Sequence, residues 1–390
     1  MDPENLPPDQ KHSWHVTAAI FLCAAGVVLI LVPVIGVGYP RVLTVTGITH
    51  SSGTTTEATD PAQTPQTLSP LDTAAYDRKM LQLANLPMIT VATTTRVSAT
   101  STATTTVKIS VTAPSRWPVK TVYPNAGALL PFNRIVAYYG NFYSTQMGVL
   151  GEYPEAQVIQ MLASTTAMWR AADPSTPVIP GIDYIAVTAQ GSAQSDGTYR
   201  ARMPASQIQK AIDMANQING VVILDVQVGL STVEKEIPLF APYLKLPNVN
   251  LALDPEFDMH NGERPGTVIG TMDAADINFA AQYLANIVRR NNLTPKILIV
   301  HRFTQDMVTN YQNIKPLPEV QIVMDMDGFG FPAKKINTYK TVVAADPVQF
   351  TGFKLFYKND AIPSIAGSNH LMTPSEVLKL SPQPSFIQYQ

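Results

Sequence analysis

One short stretch of the sequence places two carboxylates at the end of a predicted buried strand. Residues 249–256 read VNLALDPE, and strand side chains alternate between two faces. The two leucines therefore point one way, while Asp254 and Glu256 point the other. We expect Pro255 to end the strand, because proline cannot donate a ladder hydrogen bond. Large aliphatic residues on one face and small or polar residues on the other are typical of a barrel strand with helices outside it.

Other predicted strands end in polar residues of the same kind. Asp225 and Gln227 share a face at the end of Val221–Val226, and His301 ends Ile297–His301. In a barrel the carboxyl ends of the strands meet at one face, so we expect these side chains to line a common cleft. The predicted catalytic residues are Glu256, Asp225 and Asp254. The predicted substrate-binding residues are Tyr139, Asp183, Tyr184, Gln227, His301, Asp325, Asp327 and Lys354.

The carboxylates favour glycoside hydrolysis as an enzymatic function, because that reaction needs a proton donor and a second carboxylate across the scissile bond. Asp254 and Glu256 lie two residues apart on one strand and project to the same side, so we pair Glu256 with a carboxylate on another strand. The predicted partner is Asp225, Asp325 or Asp327. We expect Glu256 to act as the general acid and Asp254 to stay ionised and position its neighbours.

Two other functions fit the same residues. In a metal-assisted hydrolase, the oxygen and nitrogen ligands of a divalent ion would be Asp225, Glu256, His301 and Asp325. His301 fits a hydrogen-bonded supporting role equally well. A non-catalytic domain that binds envelope glycans or acts as a scaffold would use the same cleft, and the fold alone does not decide between these functions.

These residues belong to a regular alternation of strands and helices beyond Pro124, which predicts βα units and a parallel sheet. An eighth strand is expected at Ile185–Thr188 or in the tail. The pattern favours a (β/α)8 TIM-barrel-like fold, with a doubly wound open sheet as the alternative. The seven clear strands are Ile135–Tyr139, Val178–Ile182, Val221–Val226, Val249–Asp254, Ile297–His301, Val320–Asp325 and Phe350–Phe356.

Helix signals separate the strands. Amphipathic helices are predicted over Ile208–Ile218 and Ala274–Arg290, and two capping boxes predict helix starts. The capping pairs are Ser231 with Glu234 and Thr373 with Glu376. No Gly-rich phosphate loop follows any strand in the sequence, so we predict no nucleotide and no other cofactor.

Five motifs in this region resemble a family of secreted or lipoprotein-type bacterial envelope proteins, found in actinobacteria and in candidate-phyla relatives. The resemblance covers about Arg134 to Leu380 and implies a barrel fold and an envelope location, without an activity. The chain departs from the family's lipoprotein members in having an apolar span without a lipobox, and from several members in having Arg302 after the histidine. The motifs are Asp225-Val-Gln227 with Gly229, Leu253-Asp254-Pro255-Glu256, Val300-His301, Asp327-Gly328-Phe329-Gly330 and Gly352-Phe353-Lys354-Leu355-Phe356.

The composition limits the partners of the protein. Its 390 residues are 45% hydrophobic and 14% charged, with a formal net charge of -2, so no basic surface for nucleic acid is expected. Cys23 is the single cysteine, which excludes a disulfide framework and a thiolate zinc site. The predicted partners are the membrane and a polysaccharide or peptidoglycan-type glycan.

The amino-terminal part of the sequence predicts a membrane anchor. Val16–Val37 is apolar apart from Thr17, carries no charge and is long enough to cross a bilayer as a helix. We prefer a retained single-pass anchor, with the domain outside the cytoplasm, over signal-peptide cleavage after Gly36-Val37-Gly38. We also prefer it over lipidation of Cys23, whose preceding residues lack the small side chains of a lipobox.

A stretch rich in Thr, Ser, Ala and Pro follows the span, and such sequences cannot bury enough apolar surface to form a core. We expect it to stay extended as a stalk, interrupted by a short helix near Tyr76–Ala84. The predicted organisation is therefore a short cytoplasmic tail (1–15), a transmembrane helix (16–38), a low-complexity stalk (39–123) and a barrel domain (124–390).

Overall fold

The computed structural model describes residues 69–86, 91–98, 101–107, 116–362 and 369–390. Its central element is a nine-stranded sheet in which eight parallel strands close into a barrel and one short strand is added at the edge. Helix α1 (Thr73–Ala84) and an antiparallel hairpin of β1 (Val91–Ser98) and β2 (Ser101–Val107) precede it. The barrel strands are β3 (Arg134–Gly140), β4 (Val178–Ala189), β6 (Val221–Val226), β7 (Val249–Leu253), β9 (Lys296–Arg302), β11 (Val320–Met326), β12 (Phe350–Leu355) and β13 (Phe386–Tyr389).

The connections between the barrel strands are uneven. Three long helices lie outside the barrel, whereas other crossovers use single turns or 3-10 helix. The short strands are β5 (Arg200–Arg202), β8 (Met272–Asp273) and β10 (Val308–Thr309). The helices after α1 are α2 (Val149–Glu152), α3 (Glu155–Ala172), α4 (Ala205–Gln217), α5 (Val233–Glu236), α6 (Ala241–Leu244), α7 (Ala274–Asn291), α8 (Pro332–Thr338) and α9 (Pro374–Val377). A π-helical turn over Tyr339–Val343 continues α8, and 3-10 turns cover Ile237–Phe240, Pro255–Phe257 and Tyr311–Asn313.

The closed sheet confirms the predicted barrel and excludes the doubly wound alternative. An open sheet has two edge strands, but here β3 pairs with β4 on one side and with β13 on the other. The eighth strand is in the tail, as one of the two expectations had it. Ile185–Thr188, the other candidate, continues β4 past a register shift between Ile185 and Val187.

The strand alternation divides the apolar residues into two cores. Leu251 and Leu253 of β7 face outward and pack in the larger core between the barrel and its helices. Ala252, between them, faces inward and joins a smaller core that fills the lower half of the barrel. This is the face assignment that the period of two predicts. Other inward residues of this smaller core are Ile135, Ala137, Val221, Ile223, Ile297, Ile299, Val323, Phe350 and Phe386.

Helix α1 closes the amino-terminal end of the barrel. The Asp72 carboxylate accepts the N–H of Ala75 at 2.9 Å and begins the helix, and Asn85 ends it in a left-handed conformation. Tyr76, Met80 and Leu83 are buried and pack in the same core as the inward residues of the strands. The expectation of an extended stalk over 39–123 is therefore wrong for this helix, although the short helix itself was predicted.

The low-complexity sequence of the stalk also forms structure further on. Strands β1 and β2, which are rich in threonine, pair in an antiparallel hairpin from Val91↔Val107 to Ser98↔Ser101. The predicted extended stalk did not include this pairing, which the strand preference of β-branched threonine favours.

One of the two predicted capping boxes is present. Thr373 and Glu376 form the box at the start of α9, with Pro374 at the first helical position. The pair of Ser231 and Glu234 does not form one, because α5 begins one residue later and its first residue is Val233. The Ser231 hydroxyl instead donates to Glu236, which also accepts from Arg200.

The predicted transmembrane helix at 16–38 and the cytoplasmic tail before it lie outside the described residues. Among the helices that the structure does describe, none combines the length and the apolar character needed to cross a bilayer.

Shortening a buried side chain of α1 should destabilise the whole barrel, because α1 completes its lower core. We expect Met80→Ala to lower the free energy of unfolding by ~2–5 kcal/mol, the range for buried methionine or leucine truncations. Leu81→Ala is the matched control, since Leu81 is 62% exposed on the same helix and should change little. Urea unfolding of both variants checks this, and equal effects would mean that α1 does not seal the core.

Candidate functional site

The upper half of the barrel interior is charged where the lower half is apolar. The strand register brings most of the predicted site residues together at the carboxyl ends of the strands, with their side chains inside the barrel. All of these side chains are at most 9% exposed. The residues brought together are Tyr139, Asp183, Asp225, Gln227, Asp254, His301, Asp325, Asp327 and Lys354.

His301 lies between three carboxylates. Its Nε2 is 3.2 Å from Asp225 Oδ2, and its Nδ1 is 3.2 Å from Asp325 Oδ2 and 3.5 Å from Asp327 Oδ2. Only the contact with Asp325 has the geometry of a hydrogen bond; Nε2 and the oxygens of Asp225 form none. Both ring nitrogens thus face negative charge, which suits an imidazolium ion that carries a proton on each nitrogen.

The proton balance of this cluster follows from its burial. Burial opposes the charge on His301, but the carboxylates of Asp225 and Asp325 outweigh it and hold the pKa of His301 well above its usual value. Burial also raises the pKa of Asp325, and burial together with Asp225 raises the pKa of Asp183 well above the usual range. The interior therefore holds both a protonated histidine and carboxyl groups that resist ionisation.

Lys354 is the second buried cation. Its ammonium group lies 3.0 Å and 3.2 Å from the two oxygens of Asp327 and 3.8 Å from the centre of the Tyr139 ring. Burial lowers the pKa of an amine, but Asp327 and Asp254 reverse this and raise the pKa of Lys354 above its usual value. Lys354 therefore stays charged and fixes Asp327 by a two-oxygen ion pair.

Asp254 is held in a different way from the other carboxylates. Gln227 Nε2 donates to Asp254 Oδ2 at 3.1 Å and lies 3.3 Å from the Tyr139 hydroxyl, while the backbone N–H of Ala189 donates to Gln227 Oε1. That backbone donor fixes the orientation of the amide, since only oxygen can accept. Burial, followed by the charge of Asp225, raises the pKa of Asp254 to about 7. The raised pKa favours a protonated Asp254 over the ionised form expected from the sequence.

Glu256 lies just beyond the end of β7, in a 3-10 turn. Pro255–Phe257 forms a 3-10 turn, capped by Asp254, whose Oδ1 accepts the N–H of Glu256 at 3.3 Å. The strand alternation therefore stops at Pro255, so the alternation that predicted an inward orientation does not extend to Glu256. Glu256 is half-buried, so it is more accessible than Asp254.

Tyr184 is the other predicted residue that does not join the cluster. It faces outward from β4 into the core between barrel and helices, where its ring stacks on Phe142 with 4.6 Å between centroids. Asp183 precedes it and faces inward, so the alternation of β4 separates the two neighbours. Tyr143, in the loop after β3, is 52% exposed and is the aromatic side chain open to solvent in this region.

Two residues of the cluster were missed in the sequence. Gln388 of β13 donates from Nε2 to Asp183 Oδ2 at 2.6 Å, and the alternation of Phe386 and Gln388 would have identified it had the tail been read as the eighth strand. Gly352 lies under Asp325, where a Cβ would come within 2.3 Å of Oδ1. The glycine therefore makes room for the carboxylate. The sequence GFKLF alone does not predict this contact.

Several buried oxygens of the cluster accept no hydrogen bond within the described part of the chain. They are Asp183 Oδ1, both carboxylate oxygens of Asp225, Asp325 Oδ1 and Gln388 Oε1. Buried acceptors without donors are costly and uncommon in folded proteins. The upper half of the barrel is thus rich in acceptors that suit a ligand with several donors.

The geometry does not support a metal centre in this cluster. An imidazolium ion offers no lone pair, and the two nitrogens of His301 face carboxylates on opposite sides of the ring. Within the described ranges, the group of three acidic or histidine side chains whose ligand atoms lie within 4.8 Å of one another is a different one. The predicted set of Asp225, Glu256, His301 and Asp325 therefore does not converge on one point.

No family model matches the chain, and no curated protein matches it. Solved structures that resemble it include a Plasmodium falciparum HPPK-DHPS with pteroate, at 10% identity and TM-score 0.33, covering 69% of this chain and 47% of that one. A trimodular GH5_4 subfamily endoglucanase matches at 10% identity and TM-score 0.36, covering 67% and 56%. A Bacteroides ovatus GH5 xyloglucanase in complex with a XXXG heptasaccharide matches at 12% identity and TM-score 0.35, covering 77% and 79%. The chain spans about half the length of the first two of these structures. Because the similarities are so distant, the fold is assigned from the strand pairing alone.

The raised pKa of Asp254 predicts a specific dependence of stability on pH. Between ~4, the value for an unfolded aspartate, and about 7, the folded protein holds a proton that the unfolded chain has released. The free energy of unfolding should therefore fall as pH rises through this window, by up to ~1.4 kcal/mol per pH unit for this group. Asp254→Asn should flatten the profile by that amount.

Urea unfolding at a series of pH values measures the two profiles. Asp306→Asn, at an exposed aspartate, is the control and should leave the wild-type profile unchanged. A profile of Asp254→Asn parallel to that of the wild type would show that Asp254 takes up no proton on folding.

Proposed function

We propose that this barrel is a glycoside hydrolase-like enzyme that acts on a polysaccharide of the cell envelope or its surroundings, with Asp254 as the proton donor. The observation that carries the proposal is the state of Asp254 at the carboxyl end of β7. Glycoside hydrolysis needs a carboxyl group that is still protonated near neutral pH, and burial beside Asp225 raises the pKa of Asp254 to about 7.

The second carboxylate of the reaction is Glu256. The objection that Asp254 and Glu256 project to one side of a single strand no longer applies, because the 3-10 turn at Pro255 breaks the strand between them. Glu256 is half-buried on this turn and so has the access to solvent that a base or nucleophile needs. The Gln227 amide, fixed by the backbone of Ala189, keeps Asp254 in place.

The chemistry of the cluster also suits a sugar. The oxygens of Asp183, Asp225 and Asp325 that accept no hydrogen bond match the many hydroxyl donors of a carbohydrate. Exposed Tyr143, at the same end of the barrel, offers a ring face on which a sugar can stack. The apolar span at Val16–Val37 would hold such an enzyme at the membrane, with the barrel outside the cytoplasm.

A non-catalytic glycan-binding domain is the second candidate, and the burial of the cluster favours it. Asp225, His301 and Asp325 are completely buried, so their charges can stabilise one another inside the barrel without contacting a substrate. In that case a glycan would bind at the rim, near Glu256 and Tyr143, and no bond would be cleaved.

A hydrolysis assay separates the two candidates. The protein is incubated with peptidoglycan and with a panel of soluble polysaccharides, and released reducing ends are measured. We expect cleavage of at least one substrate, and we expect Asp254→Asn to lower the rate by a factor of at least ~100 while substrate binding is retained. Glu256→Gln should also lower the rate, and Asp306→Asn should not.

Each other outcome has a definite meaning. Activity that survives Asp254→Asn would refute the assignment of the proton donor. Glycan that is bound and never cleaved would identify the second candidate, and a protein that neither binds nor cleaves any glycan would refute both.

The anchor predicts how the protein responds to protease on intact cells. If the domain lies outside the cytoplasm, added protease should release a fragment that contains Arg134–Gln390 and begins ahead of α1, because α1 is packed on the barrel. Immunoblotting with an antibody to the barrel detects the fragment. Protection until the cells are lysed, or a mature protein that begins near Tyr39, would contradict a retained external anchor.

A further inference from the structure

A second cluster of ionisable side chains lies outside the barrel interior, on the loops at its carboxyl face. Asp258, His260 and Asp276 each direct one ligand atom to a common region, and these atoms all lie within 4.8 Å of one another. His260 Nε2 is 3.5 Å from Asp258 Oδ1. One imidazole and two carboxylates are thus brought together by residues from two separate elements.

The backbone fixes both carboxylates before any ligand is bound. Asp258 ends the 3-10 turn, with its N–H donating to Pro255 O at 3.1 Å, and its carbonyl accepts the N–H of Thr271 at 3.1 Å. Asp276 lies in the first turn of α7, where its Oδ2 accepts the N–H of Asp273 at 3.2 Å as part of a capping box. The fold therefore fixes the backbone at Asp258 and the side chain of Asp276.

Asp258 is the unusual member of the cluster. Its side chain is 5% exposed, and its Oδ1 faces His260 Nε2 at 3.5 Å. This buried carboxylate thus lies beside a histidine and a second carboxylate, with one ligand atom of each within 4.8 Å of the others.

We infer that Asp258, His260 and Asp276 form a binding site for a divalent transition-metal ion, and that Zn²⁺ is the ion their chemistry fits best. Imidazole nitrogen and carboxylate oxygen are both zinc ligands, at ~2.0–2.2 Å, and three protein ligands leave a fourth position for water. Tetrahedral ligands at that distance stand about 3.4 Å apart. The separation of His260 Nε2 and Asp258 Oδ1 is 3.5 Å, close to this value, and the ligand atom of Asp276 lies within 4.8 Å of both residues' ligand atoms, so only a small movement is needed.

The ion would cross-link the loop after β7 to the start of α7. That loop carries Asp254 and the 3-10 turn with Glu256, and it returns to the barrel through β8, directly before α7. Zinc at this place would hold the loop against the helix, and its ligands are separate from the interior cluster around His301. The site does not depend on the proposed hydrolytic function and can be tested without an activity assay.

A plain ion pair between Asp258 and a protonated His260 is the competing explanation. The chain offers a matched example in His370, whose Nε2 lies 2.9 Å from Glu376 Oε1. His370 belongs to no comparable group of three ligands within the described residues. A histidine–carboxylate pair alone therefore exists elsewhere in the molecule, and it provides the control.

The test uses the full chain, stripped with a chelator and titrated with ZnCl2 in a calorimeter. We expect saturable binding of one ion per chain, and His260→Gln should weaken it by at least ~100-fold. Since His260 is half-exposed, this variant should keep the fold. His370→Gln should bind zinc as the wild type does.

Asp258→Asn gives a second readout that an ion pair would not produce. The substitution removes the buried charge at constant shape, so the metal-free protein should melt at the same or a higher temperature. The variant should also lose its affinity for zinc and the zinc-induced rise in melting temperature. Absence of saturable binding by the wild type would overturn the inference. So would binding that neither His260→Gln nor Asp258→Asn changes, since the ion would then lie elsewhere.

Discussion

The removal of charge from water at one end of the barrel is the constraint on which the rest of this structure depends. An ionised carboxylate buried alone costs so much free energy that it pairs with a cation or takes up a proton. Both responses are present in the interior. Asp327 pairs with Lys354, and Asp225 and Asp325 share His301, while the pKa of Asp254 rises to about 7. The site is therefore a set of coupled charges whose members set one another's protonation, and replacing any one of them redistributes protons over the others.

Lys296, a buried cation outside the interior cluster, is held in a different way. Lys296 donates to the backbone carbonyls of Leu246, Pro247 and Val249 and has no buried carboxylate partner among its hydrogen bonds, so burial lowers its pKa to about 7. Lys354, surrounded by carboxylates, has a raised pKa instead. A buried lysine thus holds its proton weakly at Lys296, where its hydrogen bonds go to backbone carbonyls. It holds its proton firmly at Lys354, because carboxylates surround it there.

The sequence predicted the barrel and most of the interior cluster because both follow from a period of two. Asp225, His301 and Asp325 were placed correctly, since each ends a strand whose aliphatic residues define its faces. The period gave no guide where it stopped or where a strand was not recognised. Glu256 follows a proline that breaks the strand, and Gln388 lies on a tail strand too short to stand out. Helix α1 was predicted, but its packing against the barrel was not. The composition around the helix was typical of a stalk, and contacts between residues far apart in the sequence produce no local sequence pattern.

The contacts of α1 have a consequence for the order in which the chain can fold. Asn85 Nδ2 donates to the carbonyls of Leu378 and Leu380, and the N–H of Gln383 donates to Leu83 O, so the first helix of the domain is bound to its last segment. During synthesis α1 emerges long before β13, and its apolar face has no partner until nearly the whole domain has followed. Closure of the barrel and docking of α1 are therefore late events with high contact order, which slows folding and lengthens the time in which apolar surface is exposed. A chaperone that shields α1 while the chain is being made would act on the step at which this protein is most prone to aggregate.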